Sequence, residues 1–393
     1  MAFVAFVVIL RVQWKAPPVV GPLFSTSPDE LFQQGVQGIR DRNVGEIRSA
    51  LGGLAPLADQ SERVQLLRGA LSLLSDDPQG ALQHFAKLTP QGQNRDLLLT
   101  LTGETLYRVG QLDDAEHCLL LAIQETPDNV DAIRWLATVY YDLGDIEQTL
   151  RMLETVSRVA PLDYRPHHMQ GAIYRDYGEH KKAIMALSKA VELAAGNEIQ
   201  AELRPLLASS QMSLKQFDAA MVTLQECPTT TVTLSLRADC LWQKGQSAEA
   251  GQALAQAESL GELPAAGRRL KARVLLERNE LHQSRQLLES LITTTPSDEE
   301  SEYMLALLFR QLKDESQYQI HLKRSESMKS LKNSLTELSQ KAMQEPTNAE
   351  VRDQLAGICD QLELKPLAQV WRTAAASCRR RQPPVVPPEK ATP

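Results

Sequence analysis

Between Val130 and Asp163 the apolar positions fall on two helical faces. Ile133, Leu136, Ala137 and Tyr140 share one face at spacings of three and four, Gly144 interrupts it, Thr149 and Leu153 mark a second, and Pro161 follows. The pattern predicts two short helices joined by a tight turn. Moving 34 residues back, the same slots hold Leu99, Thr102, Gly103, Leu106, Gly110, Ala115, Leu119 and Pro127. Moving 34 forward, they hold His167, Gln170, Gly171, Tyr174, Gly178, Ala183 and Leu187. Small residues recur in phase at Gly69, Gly103, Ala137 and Gly171, where a larger side chain would hold the first helix away from the second.

The pattern extends in both directions. A weaker copy fits 28–61, with Gly35, Ile47 and Leu51; the clearest copies fit 62–95, 96–129, 130–163, 164–197, 231–264 and 265–298. Near Asn197 the register slips by three residues, leaving a degenerate unit at 201–230 whose Pro205 is expected to kink its first helix or move its start. From Glu315 to Gln344 there is neither glycine nor proline, which predicts one long helix or two abutting ones. A terminal unit at 349–375, with Leu355, Ala356, Cys359, Leu362, Ala368 and Trp371, reads as a cap on an array covering 28–375. The Arg- and Pro-rich stretch 376–393 reads as a disordered tail.

The order of slots resembles the tetratricopeptide repeat (TPR), whose period is 34 and whose pattern is W-x2-L-G-x2-Y, then A-x3-F, then P. Two helices of about a dozen residues cannot bury both apolar faces alone, so stacked neighbours complete the core. The resemblance implies an all-α fold, a right-handed superhelix (α-solenoid) of about ten helix-turn-helix units. It also implies a binding scaffold without cofactor.

Composition narrows this only slightly. A net charge of -7 with 23% charged residues argues against a nucleic-acid partner for the whole chain. Period-2 runs of β-branched residues are missing, so almost no sheet is expected. The five cysteines include no C-x-x-C pair and are odd in number, which indicates neither a structural zinc site nor a disulfide framework, although one disulfide between some pair stays open. Cys227 and Cys240 fall in or beside packing slots and read as small buried apolar residues.

The first ten residues, MAFVAFVVIL, are wholly apolar, with Arg11, Trp14 and Lys15 after them and a proline-rich linker at 16–27. Segment 1–15 has three readings. It is an anchor or signal remnant whose upstream part is missing, a short membrane-inserting segment with Trp14 and Lys15 at the interface, or an apolar terminus docked on the first repeat. A membrane link accounts best for the uninterrupted run, placing the chain at a membrane or cell envelope; the alternative is cytoplasmic.

No catalytic motif is present: there is no H-E-x-x-H, G-x-S-x-G, Walker loop or dinucleotide fingerprint, and His167 and His168 point about 100° apart on a helix and make no chelating pair. No catalytic residue, metal ligand or cofactor is therefore expected. In the family the concave wall is built from slots 2, 5, 9, 12 and 13 of each first helix. Carried onto this chain, those slots place Tyr107, Arg108, Arg134, Tyr141, His168, Arg175, Trp242, Arg269, Arg273, Tyr303 and Arg310 on a partner-binding groove. Arginine and aromatic side chains are the usual anchors of interfaces. The same slots hold Glu104, Asp131, Asp142, Asp176, Glu202, Asp239, Glu277 and Glu300, so the charges nearly cancel.

The Lys and Asn residues with which one subgroup of the family clamps a chaperone's C-terminal carboxylate are absent: Thr100, Arg134 and His168 stand at slot 5, and Glu104, Thr138 and Ala172 at slot 9. Arg268, Arg269, Lys271 and Arg273 form a basic cluster, and Arg379, Arg380 and Arg381 suit a helix C-terminus. The expected function is a non-catalytic scaffold holding a protein or peptide segment. A soluble assembly factor or regulator, or an accessory subunit of a separate enzyme, is the alternative.

Overall fold

A computed structural model of the chain describes residues 27–54, 61–89, 94–345 and 347–381. Those residues form twenty helices and no strand. They pair into ten hairpins. The first four are α1 (Pro28–Arg40) with α2 (Val44–Leu54), α3 (Glu62–Leu74) with α4 (Pro78–Phe85), α5 (Arg95–Arg108) with α6 (Leu112–Glu125), and α7 (Val130–Asp142) with α8 (Ile146–Val159). The next three are α9 (Arg165–Asp176) with α10 (His180–Leu193), α11 (Asn197–Ser213) with α12 (Phe217–Gln225), and α13 (Thr231–Gln243) with α14 (Ser247–Leu260). The last three are α15 (Ala265–Glu277) with α16 (Leu281–Thr294), α17 (Glu299–Gln311) with α18 (Glu315–Gln344), and α19 (Ala349–Gln361) with α20 (Lys365–Arg381).

Each hairpin turns in the same way. One residue in the left-handed region ends the first helix: Arg42, Asp76, Gly110, Gly144, Gly178, Lys215, Gly245, Asn279, Lys313 and Glu363 in chain order. The next residue donates its N–H to the carbonyl five positions back, as Gln111 does to Leu106 at 2.9 Å and Asp314 to Phe309 at 3.0 Å. This is the Schellman closure, and it satisfies carbonyls the helix would leave unpaired. The donor residue then begins the second helix, as Asp145 does by accepting from the Gln148 N–H at 3.2 Å.

The turn residues also measure the repeat. From Arg42 to Gly178 they recur every 34 positions. The interval rises to 37 at Lys215, where α11 has 17 residues against 13 in α13, so about one extra helical turn takes up the three-residue slip. Pro205, expected to kink this helix or move its start, lies inside α11, which begins at Asn197 and has Leu203, Leu207 and Ala208 buried on either side of the proline. Between Lys313 and Glu363 the interval is 50, or 16 beyond the repeat, and α18 has 30 residues against 14 in α16, which is the same excess. The stretch without glycine or proline is thus a single helix, the second helix of its hairpin prolonged by about four turns.

Packing explains the small slot. Seven residues before each turn residue stand Gly35, Gly69, Gly103, Ala137, Gly171, Ala208, Ala238, Ala272, Ala306 and Ala356, all buried. A Cβ on Gly103 would meet Leu119 Cγ at 2.6 Å, and one on Gly171 would meet Leu187 Cγ at 2.6 Å. The opposing small slot of the second helix holds Ala81, Ala115, Thr149, Ala183, Ala220, Ala250, Ser284 and Ala368, wholly buried. Where that slot is polar it is satisfied: the Ser284 hydroxyl donates to the Ala272 carbonyl at 2.8 Å.

The described helices fall into two compact units, divided between Ala160 and Pro161. Each is a stack of hairpins. In the first, α1, α3, α5 and α7 contact one another in succession; in the second, α11, α13, α15 and α17 do so. Residues 376–381, expected in the tail, are helix, because Ser377 and Cys378 are buried and carry α20 on to Arg381. Segments 1–15 and 16–26 and the remainder of the tail lie outside the described residues.

Candidate interaction groove

In the first unit, the wall residues expected to receive a partner are engaged with one another. Glu104 is buried in α5 between two guanidiniums, with Arg42 and Arg108 each 2.6 Å from its Oε1. The Tyr107 hydroxyl donates to Asp142 Oδ2 at 2.8 Å, and its ring lies 5.4 Å from that of Trp135, over which Arg108 also sits at 6.0 Å. Burial raises the Tyr107 hydroxyl well above its ordinary value, with the Asp142 carboxylate adding to it. Burial likewise raises Asp142, and the bond from Tyr107 opposes the shift. Arg134 pairs with Asp131 at 2.9 Å. Tyr141 is half-buried on the same helix. A partner would have to break these pairs, at about 1.5–3 kcal/mol for each hydrogen bond to a charged group.

In the second unit the expected residues separate. His168 is held down to about 4 by burial and then by the Arg175 charge. Trp242 packs against the core cluster of Leu234, Ala238, Leu254 and Leu270, so it is largely a core residue. The basic cluster is mostly neutralised. Arg268 pairs with Glu262 at 3.7 Å, Lys271 with Glu258 at 2.5 Å, and Arg269 with Asp298 at 3.2 Å and Glu300 at 2.7 Å. Only Arg273 of the four makes no ion pair among the described residues.

Arg273 opens onto a cleft of about 430 Å³ between α15 and α17. Its sides are Arg273, Leu276 and Glu277 from α15, and Tyr303, Met304, Leu307, Arg310 and Gln311 from α17. Three of these, Arg273, Tyr303 and Arg310, were expected from their slots. Tyr303 is 47% exposed, while Leu276 and Met304 are buried and Leu307 half-buried. Arg310 is exposed and, like Arg273, without an ion pair among the described residues. The apolar floor escaped a search for arginine and aromatic residues, although Leu276 and Leu307 occupy wall slots and that position alone could have marked them.

A larger cavity of about 620 Å³ lies between α18 and α19, lined by Ser334, Glu337, Leu338 and Lys341 and by Gln354, Gly357, Ile358 and Gln361. It offers two aliphatic side chains and neither aromatic nor arginine. The α15–α17 cleft therefore has the better interface chemistry. Among the described residues no group of three His, Cys, Asp or Glu stands close enough to hold a metal. The five cysteines are free thiols, and burial pushes Cys240 and Cys359 up to about 12. No helix among the described residues is long and apolar enough to cross a membrane.

Residues 100–148 and 164–197 match two family models, each described as tetratricopeptide repeat. No curated protein matches. Among solved structures, a tetratricopeptide repeat protein from Parabacteroides merdae is similar at 19% identity and TM-score 0.47, over 64% of this chain and 99% of that one. PilF of Pseudomonas aeruginosa is similar at 16% identity and TM-score 0.43, over 53% and 95%. The human IFIT1 dimer with PPP-AAAA is similar at 14% identity and TM-score 0.40, over 90% and 94%.

Proposed function

We propose, from the premise that this chain is a tetratricopeptide repeat protein, that it is a non-catalytic scaffold whose α15–α17 cleft receives a segment of a partner protein. The observation that carries this reading is the pairing of a half-exposed tyrosine and an apolar floor with two arginines that make no ion pair among the described residues. An aromatic anchor over apolar contacts, rimmed by guanidiniums, is the composition of an interface hot spot. Of the wall's other arginines, Arg108 is held by Glu104, Arg134 by Asp131 and Arg269 by two carboxylates; Arg175 also makes no ion pair among the described residues, but it lies outside the lining of this cleft.

The test is affinity capture from native cells with the wild type and the Tyr303→Ala, Leu307→Ala double variant, matched for helicity. Loss of specific partners from the double variant supports the reading; an unchanged set removes the site from this cleft. Replacing Arg134 and Tyr141 by Ala serves as the comparison for the first unit. The apolar run at 1–10 supports a further element of the proposal, membrane association through 1–15. Fractionation beside a chain beginning at Ser25 tests it, and equal recovery of both in the salt-washed membrane pellet would sink it.

A further inference from the structure

We infer that the segment taken by the α15–α17 cleft is acidic and apolar together, with a side-chain carboxylate of Asp or Glu beside a large aliphatic or aromatic residue. This rests on the scaffold reading above and deepens it. The lining carries two guanidiniums against one carboxylate, Glu277. Glu277 lies one helical turn beyond Arg273 on α15, yet makes no ion pair with it or with Arg310. Two of the neighbouring acids, Asp298 and Glu300, are held by Arg269. Asp239, partly buried on α13, feels both Arg273 and Arg269 without a salt bridge to either. The cleft's own lining thus carries one more guanidinium than carboxylate, beside the apolar side chains of Leu276, Met304 and Leu307.

That juxtaposition selects the ligand. A guanidinium over apolar surface is less well hydrated than one in open water, so a carboxylate placed there gains more from pairing, and two such donors favour a bidentate acceptor. A basic segment would meet Arg273 and Arg310 with like charge. A neutral apolar segment would cover both guanidiniums without satisfying them.

The test is panning of random dodecapeptides displayed on phage against the full chain, followed by fluorescence anisotropy with synthetic copies of the enriched peptides. Displayed peptides lack a free C-terminus, so only side-chain carboxylates are offered. The wild type is expected to enrich Asp or Glu within a few residues of Leu, Phe or Tyr. The Arg273→Glu, Arg310→Glu double variant is expected to bind those peptides at least tenfold more weakly and to enrich basic–apolar ones instead, and Glu277→Gln to bind them no more weakly than the wild type. Arg310→Glu alone, at an exposed position, carries the test if the double variant loses helicity.

Acidic peptides that bind the charge-reversed chain unchanged would overturn the inference. If the wild type selects neutral or basic peptides that Leu307→Asp abolishes, the acidic specificity fails while the scaffold reading stands. If no selected peptide depends on Leu307 or Tyr303, both fall.

Discussion

Replacing Gly103 by Ala puts a methyl group where the structure has no room. Its Cβ would stand 2.6 Å from Leu119 Cγ and 2.8 Å from Cδ2, against the about 3.5–4.0 Å at which carbon atoms rest. Leu119 is wholly buried in one cluster with Ala115, Ala122 and Leu136, so it cannot swing aside freely. Either α5 and α6 part by about 1 Å or Leu119 leaves its rotamer, at about 1–3 kcal/mol. Helix propensity returns about 0.8–1.0 kcal/mol for the same exchange. Gly357 supplies the reference, because it lies within α19 and nothing stands within 4 Å of a Cβ there.

Gly357→Ala should therefore collect the propensity gain alone, and the two variants should differ by about 1–3 kcal/mol. Stacked repeats need not unfold in one step, so each effect is best read in its own hairpin by native-state hydrogen exchange. Protection of α5 and α6 should fail to rise in Gly103→Ala, while protection of α19 rises in Gly357→Ala. Equal stabilisation of both hairpins would refute the close-approach argument.

Arg352 is wholly buried and its Nη1 donates to the carbonyls of Glu345 at 3.2 Å and Asn348 at 3.0 Å, the first of which also accepts the Asn348 N–H at 3.1 Å; Arg352→Met should cost about 1.5–3 kcal/mol for each charge-assisted hydrogen bond lost, seen as faster proteolysis of the α19–α20 hairpin, and unchanged cleavage would contradict it. His168 is held down to about 4, below the about 6.5 of an unfolded histidine, so the unfolded chain takes the proton first. Its contribution is whole above about pH 6.5 and is lost as pH falls towards about 4; the melting temperature of His168→Gln should depend less on pH across that window, and a parallel profile would refute the assignment. Lys313 ends α17 with φ 58, a conformation costing a side chain about 1–2 kcal/mol, so Lys313→Gly should raise the stability of the α17–α18 hairpin by about 1 kcal/mol, and a loss in hydrogen-exchange protection would count against it.

The hairpin array was legible because the small slot leaves so few choices. All ten of its positions are Gly or Ala, and phase survives a three-residue slip because one extra helical turn accommodates it. The turn was less legible. Four of its ten left-handed residues are glycine, and Asp76 and Asn279 carry the short polar side chains that tolerate this backbone, but Arg42, Lys215, Lys313 and Glu363 adopt it with nothing in their side chains to announce it. There the Schellman bonds of the completed hairpin impose the conformation.

For the groove, slot positions indicated the face and could not indicate availability. Arg108 pairs with Glu104 four residues away, a bond helix periodicity allows, whereas Arg42 reaches the same carboxylate from 62 residues away and only the stacked fold brings it there. Arg273 and Arg310 were read as equals of Arg108, and the difference lies in what the neighbouring helices present. Leu276 and Leu307 were missed because an apolar residue on a helix is ordinarily assigned to the core.

The central claim is that the α15–α17 cleft is where this scaffold is occupied. The most direct measurement is hydrogen exchange of the full chain with and without a saturating peptide selected on it, read helix by helix. Added protection is expected in α15 and α17, centred on Leu276, Met304 and Leu307, with α5 and α7 unchanged. Protection appearing in α5 and α7 instead, or spread evenly over all the hairpins, would contradict it.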